Sequence, residues 1–285
     1  MGNSLPCCGG KEGQATRLGD RAEFVGTRVD AGRPSDSDHN AILFTLGRGG
    51  GEPMRILAWN VLCQYGYNEE YGFPFDGFNR RSETEPHYIA RLHRTATEVR
   101  NLVEATGPAA VLLQECPEPE EFGHGVLTQQ LSAELGPLGY TVLEQGEFVT
   151  AVLGAGAAAV PLPALRRQGR KLHAVACRQL GCVVLNVHLA WDKWLSEGAR
   201  LTRQDLEAVV AHVRTCHPGA NVYLAGDTNR VPAHGIRTDL EAATIEQLTD
   251  GLGDVCFPPG PTNVRWNSDL GTSEMTYADF ALRMK

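Results

Sequence analysis

The sequence predicts a four-layer α/β sandwich, in which two packed mixed β-sheets are flanked by helices on their outer faces. Segments with the pattern of strands outnumber those with the pattern of helices, and the polar residues of chemical interest lie where strands end. With 285 residues and 42% hydrophobic content, the chain is long enough to bury a full core. No internal repeat is visible, so we expect a single domain after a short leading segment.

The N-terminal third of the chain begins with a Gly-rich, polar stretch over 1–20, which is predicted to be flexible, and the domain occupies 21–285. Weak alternation predicts a strand over 22–29, and an apolar run predicts another over 41–46. The Gly-rich stretch 47–53 connects this strand to a third one over 54–62. Two strands joined by such a connector most simply form a hairpin.

The rest of the chain alternates between helices and strands. Residues 65–85 are aromatic and Gly-rich without periodicity, which predicts an ordered loop. Apolar residues at helical spacing predict a helix over 85–106, which Gly107 and Pro108 end. The remaining predicted elements are a strand over 109–114, a helix over 126–135, strands over 148–153, 171–178 and 182–188, a helix over 201–216, and strands over 221–225 and 276–282.

Charge and cysteine content restrict the environment and the partners. The net charge of −8 and the isoelectric point near 5.6 argue against an electrostatic grip on long nucleic acid, but only weakly, because a bound cation supplies local positive charge. The eight cysteines lack CxxC spacing, which is typical of free thiols in a reducing compartment. No apolar stretch has the ~20 residues of a membrane span, and no signal peptide is recognisable. We therefore expect an intracellular, cytoplasmic protein.

The first residues carry a lipidation pattern. Gly2 is available for myristoylation, and Cys7 and Cys8 are available for palmitoylation, which would provide the second signal that stable anchoring requires. Pro6 stands where the pattern prefers Ser or Thr. Anchoring at a membrane surface, in a eukaryotic cell, and a Gly-rich start with incidental cysteines are both compatible with this segment.

Several strand ends carry residues suited to cleaving a phosphate ester. That reaction needs a cation for the phosphate oxygens, a base for the attacking water and donors for the transition state. Glu115 ends a buried strand, where an unpaired carboxylate is costly, so a hard cation such as Mg²⁺ or Mn²⁺ would explain it. An ordinary strand end is the alternative. Asn60 ends another strand, where it holds either a metal-bound Glu, an oxyanion or a loop.

Two further strand ends add polar groups. Asp227 and Asn229 follow a strand through Gly226, whose sharp turn leaves one side chain to polarise water and the other to donate to phosphate. Taken alone, this motif is common in turns. His188 lies two residues after Asn186, so both side chains share a face of their strand, although a lone strand-end His is often structural.

His39 is the candidate general base. An imidazole in this role needs a carboxylate that fixes its tautomer, and Asp279, which lies between apolar neighbours near the end of the chain, is the candidate partner. Lys193 follows His188 closely and is a candidate phosphate contact, although a solvated loop is equally compatible.

In cyclic order, these short motifs resemble those of the endonuclease/exonuclease/phosphatase superfamily over residues 36–285. The motifs are Trp59-Asn60, Gln114-Glu115, Asn186-Val187-His188, Gly226-Asp227-Thr228-Asn229, Ala278-Asp279-Phe280 and Ser37-Asp38-His39. The resemblance implies a metal site at Asn60, Glu115 and Asp38. It also implies that His188 contacts phosphate and that Asp279 orients the catalytic His39.

The order of these motifs departs from the superfamily. The segment with His39 precedes the strand that ends at Asn60, whereas in the superfamily it comes last. A circular permutation would account for this, because the first and last strands of the fold are expected to be neighbours that the 47–53 connector can join. The phosphate-binding Tyr of the superfamily has no clear counterpart.

The resemblance implies a Mg²⁺- or Mn²⁺-dependent hydrolase of phosphodiester bonds, with nucleic acid or a nucleotide as the first-choice substrate. A phosphoinositide or phospholipid phosphatase, or a sphingomyelinase-like enzyme, is the second choice and is favoured by the lipidation pattern and the acidic charge. A non-catalytic scaffold with the same fold and an α/β domain with coincidental motifs are the remaining alternatives.

Overall fold

A computed structural model describes thirteen stretches of the chain: 20–25, 37, 39–48, 51–64, 67–68, 73–74, 83–162, 172–189, 203–229, 245–259, 262–267, 272–276 and 279–284. Their main feature is a pair of six-stranded β-sheets, so the predicted two-sheet sandwich is confirmed. Five residues with a predicted role lie outside these stretches, namely Gly2, Cys7, Cys8, Asp38 and Lys193. Most of the predicted 65–85 loop lies outside them as well.

The strands and helices are, in chain order, β1 (Arg21–Val25), β2 (Ala41–Arg48), β3 (Gly51–Asn60), β4 (Tyr67–Asn68), β5 (Phe73–Pro74), α1 (Glu85–Thr106), β6 (Ala110–Gln114), α2 (Val126–Leu135), β7 (Tyr140–Gln145), β8 (Phe148–Leu153), β9 (Ala157–Ala159), β10 (Leu172–Cys177), β11 (Cys182–His188), α3 (Arg203–Cys216), β12 (Asn221–Asp227), α4 (Ile245–Thr249), β13 (Gly253–Cys256), β14 (Asn263–Asn267), β15 (Thr272–Thr276) and β16 (Asp279–Met284).

Both large sheets are mixed. The first sheet has the strand order β1-β2-β3-β6-β8-β7, in which only β3 and β6 run parallel. The second sheet has the order β13-β16-β12-β11-β10-β9, in which only β11 and β12 run parallel. Each sheet therefore contains one parallel pair whose carboxyl ends lie side by side, and these ends form the site described below.

The core consists of three layers of apolar side chains. Between the sheets, Phe44 and Ile56 of the first sheet belong to the same fully buried cluster as Val184 and Tyr223 of the second. Helices α1 and α2 cover the outer face of the first sheet, and α3 and α4 cover that of the second. Because both faces of the central strands are covered, these strands read as continuous apolar runs rather than as alternating ones.

Helix α1 has the predicted bounds because residues that favour helix ends stand at both of its termini. Pro86 lies in its first turn, where a missing N–H costs nothing, and Gly107 adopts φ 54° at its C-terminus. The amide of Gly107 donates to the carbonyl of Val103, which closes the last turn. No helix among the described residues is long and apolar enough to cross a lipid bilayer.

The predicted hairpin is formed by β2 and β3. Ile42 lies opposite Ala58 and Leu46 opposite Met54, so the pairing extends along both strands. The strands reach further into the Gly-rich connector than predicted, to 48 and 51, with an irregularity at 46–48. One contact favours this extension, because Arg283 of the second sheet donates to the carbonyl of Gly47 at 2.7 Å.

Other elements differ from the sequence prediction. The strand predicted over 276–282 begins at Asp279, and the residues 272–276 form β15, which pairs with β14 outside both large sheets. Strand β7 was not predicted because most of its side chains are only half-buried, so it lacks an apolar run. Strand β13 has only four residues, three of them half-buried, and gives no pattern either.

A polar network lies between the two sheets. The side-chain amide of Gln114 donates to Oδ1 of Asn186 at 2.6 Å, and Nδ2 of Asn186 donates to the carbonyl of Leu113 at 3.0 Å and to Oγ1 of Thr150 at 3.2 Å. Oγ1 of Thr150 is in turn 3.1 Å from Nδ1 of His173. Each side chain of the network is completely buried, and its hydrogen bonds link the first sheet to the second.

The network corrects the role predicted for Asn186. We expected its side chain to bind substrate, but it lies between the sheets, where its hydrogen bonds go to Gln114 and to the first sheet. Asn186 therefore supports the residue that precedes Glu115 and does not present its amide to a ligand.

His173 of this network should make the protein less stable in mild acid. Burial lowers the pKa of His173 from 6.5 to about 4. Between pH 6.5 and pH 4, His173 is protonated in the unfolded chain but neutral in the folded chain. The free energy of unfolding is therefore unaffected by His173 above pH 6.5 and falls as the pH drops toward 4. The expected loss attributable to His173 is roughly 2 kcal/mol at pH 5.

Urea denaturation of the wild type and of His173→Gln at pH 5 and pH 7.5 measures this contribution. The free energy of unfolding should fall more steeply with acidification in the wild type than in the variant, which has no imidazole to protonate. Equal pH dependence in the two proteins would show that His173 does not titrate in this way.

Candidate active site

Strand ends from both sheets converge at one edge of the sandwich. Asn60 ends β3 directly beside Gln114, which ends β6. In the second sheet, His188 at the end of β11 lies opposite Asp227 at the end of β12, and Asp227 lies opposite Asp279 at the start of β16. The sequence motifs thus meet because the parallel pairs of the two sheets point their carboxyl ends the same way.

The turns that leave these strands have an uncommon backbone conformation. Leu62, Glu115 and Asn229 adopt φ 62°, 56° and 47°, a left-handed region that few residues other than glycine occupy. Gly226 has φ 136°, and a Cβ there would lie 2.3 Å from the carbonyl oxygen of Val187. The motif therefore requires glycine at 226, and local strain is concentrated where the polar side chains meet.

His39 and Asp279 form a buried pair. Nδ1 of His39 lies 2.8 Å from Oδ2 of Asp279, and both side chains are nearly inaccessible. Nε2 of His39 faces the site and lies 3.5 Å from Oδ2 of Asp227. The structure thus brings together the two residues that the sequence analysis named as base and orienting acid.

The backbone of His39 is also fixed. The indole of Trp59 donates to its carbonyl at 3.1 Å, and its amide donates to Oγ of Ser37 at 3.0 Å. The hydroxyl of Ser37 donates in turn to the carbonyl of Asn60 at 2.6 Å. The serine and tryptophan of the two motifs therefore tie the segment carrying His39 to the end of β3.

Glu115 is held as an ionised carboxylate. Nδ2 of Asn60 donates to Oε1 at 2.8 Å, and the amide of Cys63 donates to Oε2 at 3.0 Å. Burial alone would raise the pKa of Glu115, but His188, Asn60 and the Cys63 amide outweigh burial and lower the pKa to about 2.

The pKa of Asp227 is shifted in the opposite direction to that of Glu115. Its Oδ1 accepts from the amide of Asn229 at 2.9 Å, and its Oδ2 accepts from Asn60 at 3.0 Å. Burial raises the pKa of Asp227 and the nearby carboxylate of Asp279 adds to that rise, although the charges of His39 and His188 and the hydrogen bond from Asn60 oppose it. The two carboxyl groups bridged by Asn60 therefore have pKa values shifted in opposite directions.

His188 is the third group that faces this point. Its Nε2 lies 3.5 Å from Oε1 of Glu115 and 3.7 Å from Oδ2 of Asp227, while its Nδ1 lies 3.1 Å from Oε2 of Glu147. Burial alone would lower the pKa of His188, but the carboxylates of Glu147, Asp227 and Glu115 together raise it. The surroundings therefore favour an imidazolium that donates from Nε2.

Glu147 is a site residue that the sequence analysis missed. It lies in the turn between β7 and β8, and its carbonyl accepts from the amide of Cys116, which fixes the turn beside Glu115. An acidic residue in a turn is common on protein surfaces, and no spacing in the sequence distinguishes this one. Only the position of its carboxylate, 3.1 Å from His188, identifies it.

Asn229 was expected to donate to phosphate. Its side-chain amide donates to the carbonyl of Leu189 at 2.6 Å, which ties the turn after β12 to the end of β11. The side chain is nearly buried at the edge of the cluster. The contact with Leu189 therefore positions this turn, whereas the predicted hydrogen bond from Asn229 to phosphate stays a prediction.

The described residues contain one group of side chains that could hold a metal ion, formed by Glu115, His188 and Asp227, whose ligand atoms lie within 4.8 Å of one another. The sequence analysis named Asn60 as a metal ligand, but in the structure its amide donates to both carboxylates and its Oδ1 accepts from the amide of Leu62. Asn60 therefore holds the ligands in place. Within this group, the oxygen ligands of the two carboxylates suit Mg²⁺ or Mn²⁺. An excess of carboxyl groups over imidazoles in this buried cluster also favours a bound cation.

The fold is similar to several solved structures, although no protein-family model and no curated protein matches the chain. A mannosyl-6-phosphatase from Bacteroides thetaiotaomicron shares 13% identity at a TM-score of 0.47, with 81% of this chain and 85% of that chain covered. Zebrafish TDP2 carrying 14 humanizing mutations shares 17% identity at a TM-score of 0.43, covering 69% and 78%. The human Nocturnin catalytic domain shares 16% identity at a TM-score of 0.37, covering 81% and 82%.

These similarities concern the fold alone. At such identities and TM-scores, the function of this chain has to be inferred from its own site.

Proposed function

We propose that this chain is a divalent-metal-dependent phosphoesterase of the endonuclease/exonuclease/phosphatase type. The observation that carries the proposal is the His39–Asp279 pair at 2.8 Å, with Nε2 of His39 directed at the cluster of Glu115, His188 and Asp227. A base oriented by a buried acid and aimed at a cation-binding cluster is what metal-assisted hydrolysis needs.

His39 acts as the general base. Asp279 accepts a hydrogen bond from Nδ1–H of His39, which leaves Nε2 as the atom that takes a proton from the attacking water. Asp279 also stabilises the imidazolium that results. Oδ2 of Asp227, 3.5 Å from the same Nε2, aligns that water.

Two sets of groups would stabilise the negative charge on the phosphate oxygens. Glu115 and Asp227 would hold Mg²⁺ or Mn²⁺, which supplies charge neutralisation on the phosphate oxygens. His188, whose pKa is raised by Glu147 and the other carboxylates, donates from Nε2 to a phosphate oxygen. Asn60 orients the two proposed metal-binding carboxylates, because its amide donates to both.

Removing the base or the principal metal ligand should abolish the activity. We expect His39→Ala to reduce metal-dependent hydrolysis of a phosphate ester by at least about 100-fold. Glu115→Ala should weaken Mn²⁺ binding in calorimetry and lower turnover correspondingly. The matched controls His93→Ala and Glu118→Ala remove an exposed imidazole and an exposed carboxylate elsewhere and should leave turnover unchanged. Full activity in either site variant, with folding verified by circular dichroism, would exclude the assignment.

Nucleic acid or a nucleotide is the substrate class we propose first. The motifs Trp59-Asn60 and Gly226-Asp227-Thr228-Asn229 resemble those of the nuclease and deadenylase branches, and here both stand at the site. A phosphoinositide or phospholipid substrate is the alternative favoured by Gly2, Cys7 and Cys8, which would bring an anchored enzyme to a membrane surface.

A side-by-side assay separates these substrates. RNA, DNA, inositol phosphates and sphingomyelin vesicles are incubated with the full chain and Mg²⁺, with EDTA as the blank. We expect cleavage of RNA or DNA that EDTA abolishes. Turnover confined to inositol phosphates or sphingomyelin would transfer the assignment to the lipid class, and metal binding without turnover of any substrate would favour a non-catalytic scaffold.

The order of the motifs supports a circular permutation. The segment carrying His39 leads into β2, which pairs antiparallel with β3, the next strand in the chain, as expected for first and last strands that became joined. A chain that starts at Gly51 and carries residues 20–48 after Lys285 through a flexible linker should therefore fold and keep its activity. Failure of this chain to fold, judged by circular dichroism and thermal unfolding, would contradict the proposal.

A further inference from the structure

We propose that Arg91, a residue of α1, is a positioning residue for the metal site and acts through the loop Val61–Cys63. The inference rests on the proposed function, because it assigns to Arg91 the orientation of Glu115 and Asn60. Arg91 is separated from the predicted reacting atoms by this loop.

The guanidinium of Arg91 is completely buried. Its Nε lies 3.1 and 3.0 Å from the two carboxylate oxygens of Glu83, and its Nη2 donates to Oε2 of Glu83 at 2.8 Å. Taking this charge pair out of water is costly, and a pair of apolar side chains would serve packing as well or better. Some other demand must therefore keep a guanidinium at this position.

That demand is visible on the loop side of Arg91. Nη1 donates to the carbonyls of Val61 at 2.7 Å and Leu62 at 3.0 Å, and Nη2 reaches the carbonyl of Cys63 at 3.4 Å. Three successive carbonyls can converge on one cation only if the chain turns sharply. Leu62 provides the turn with φ 62°, a conformation that is costly for leucine and needs outside support.

The amides of the same loop point to the metal site. Leu62 donates to Oδ1 of Asn60 at 3.0 Å, and Cys63 donates to Oε2 of Glu115 at 3.0 Å. The loop therefore has its carbonyls on Arg91 and its amides on the residues that hold the cation. Arg91 fixes the direction of those amides, and through them the orientation of the Glu115 carboxylate.

Lysine cannot replace arginine in this arrangement. Its ammonium group offers three donors around one point, whereas the planar guanidinium spans a carboxylate on one edge and the loop carbonyls on the other. Arg91→Lys therefore keeps the buried charge but loses the simultaneous contacts. Outer groups that orient metal ligands typically affect metal affinity by roughly 10- to 100-fold.

The test measures metal binding without substrate. Mn²⁺ binding to the full chain, followed by electron paramagnetic resonance, should be weakened by roughly 10-fold or more in Arg91→Lys. In the phosphoesterase assay, the Mg²⁺ concentration for half-maximal rate should rise similarly, while the rate at saturating Mg²⁺ should return to within a few-fold of wild type. A purely structural role would lower thermal stability and leave the Mn²⁺ affinity unchanged.

Arg283→Lys is the matched control. Arg283 also joins a carboxylate to a backbone carbonyl, because it donates to Asp254 at 3.2 Å and to Gly47 at 2.7 Å, and neither of these contacts involves the residues described at the site. This variant should bind Mn²⁺ as the wild type does. If Arg91→Lys does not fold, Glu83→Gln keeps Arg91 but loosens its guanidinium, and the same loss of Mn²⁺ affinity is expected.

The outcomes separate this inference from the proposed function. Wild-type Mn²⁺ affinity in a folded Arg91→Lys or Glu83→Gln variant would overturn the positioning role and leave the phosphoesterase proposal intact. Absence of both Mn²⁺ binding and turnover in the wild type would overturn the proposed function and the positioning role together.

Discussion

The site depends on one hydrogen bond that crosses from one sheet to the other. His39 belongs to the segment that leads into the first sheet, and Asp279 begins the last strand of the second sheet, yet their side chains meet at 2.8 Å. Asn60 makes a second crossing when it donates to Asp227. Both contacts require the sheets to be packed in one register, which the apolar cluster and the Gln114–Asn186 contact between the sheets provide. The position of the predicted base is thus a property of the whole sandwich.

Electrostatics then divides the roles among the polar groups. Asn60 bridges two carboxylates, but Glu115 also receives an amide and faces an imidazole, so its pKa falls, while burial dominates at Asp227 and its pKa rises. Environments that shift the pKa values of neighbouring acids in opposite directions are typical of sites where the two groups have different roles, such as cation binding and proton transfer. The carboxylate of Glu147 raises the pKa of His188 and so favours its charged form.

The sequence predicted much of this site because its polar residues follow apolar runs that mark buried strands. It misplaced Asn186 for a physical reason: both faces of β11 are buried, so alternation cannot tell the face toward the other sheet from the face toward a ligand. Glu147 and Arg91 escaped prediction because an acid in a turn and a cation on a helix are common features. Their importance arises from burial and contacts, which only the folded chain defines. Strand β7 escaped because its half-buried side chains leave no apolar run.

The 240 positions that separate His39 from Asp279 have a consequence for biosynthesis. During translation, His39 is synthesised 240 residues before Asp279, so the pair cannot form until β16 has been made. Contacts of such high sequence separation are also slow to close, since loop entropy opposes them until intervening elements have packed. A nascent or truncated polypeptide that ends before β16 therefore carries the proposed base without its proposed orienting acid, so the hydrolysis proposed above would require β16 to be present.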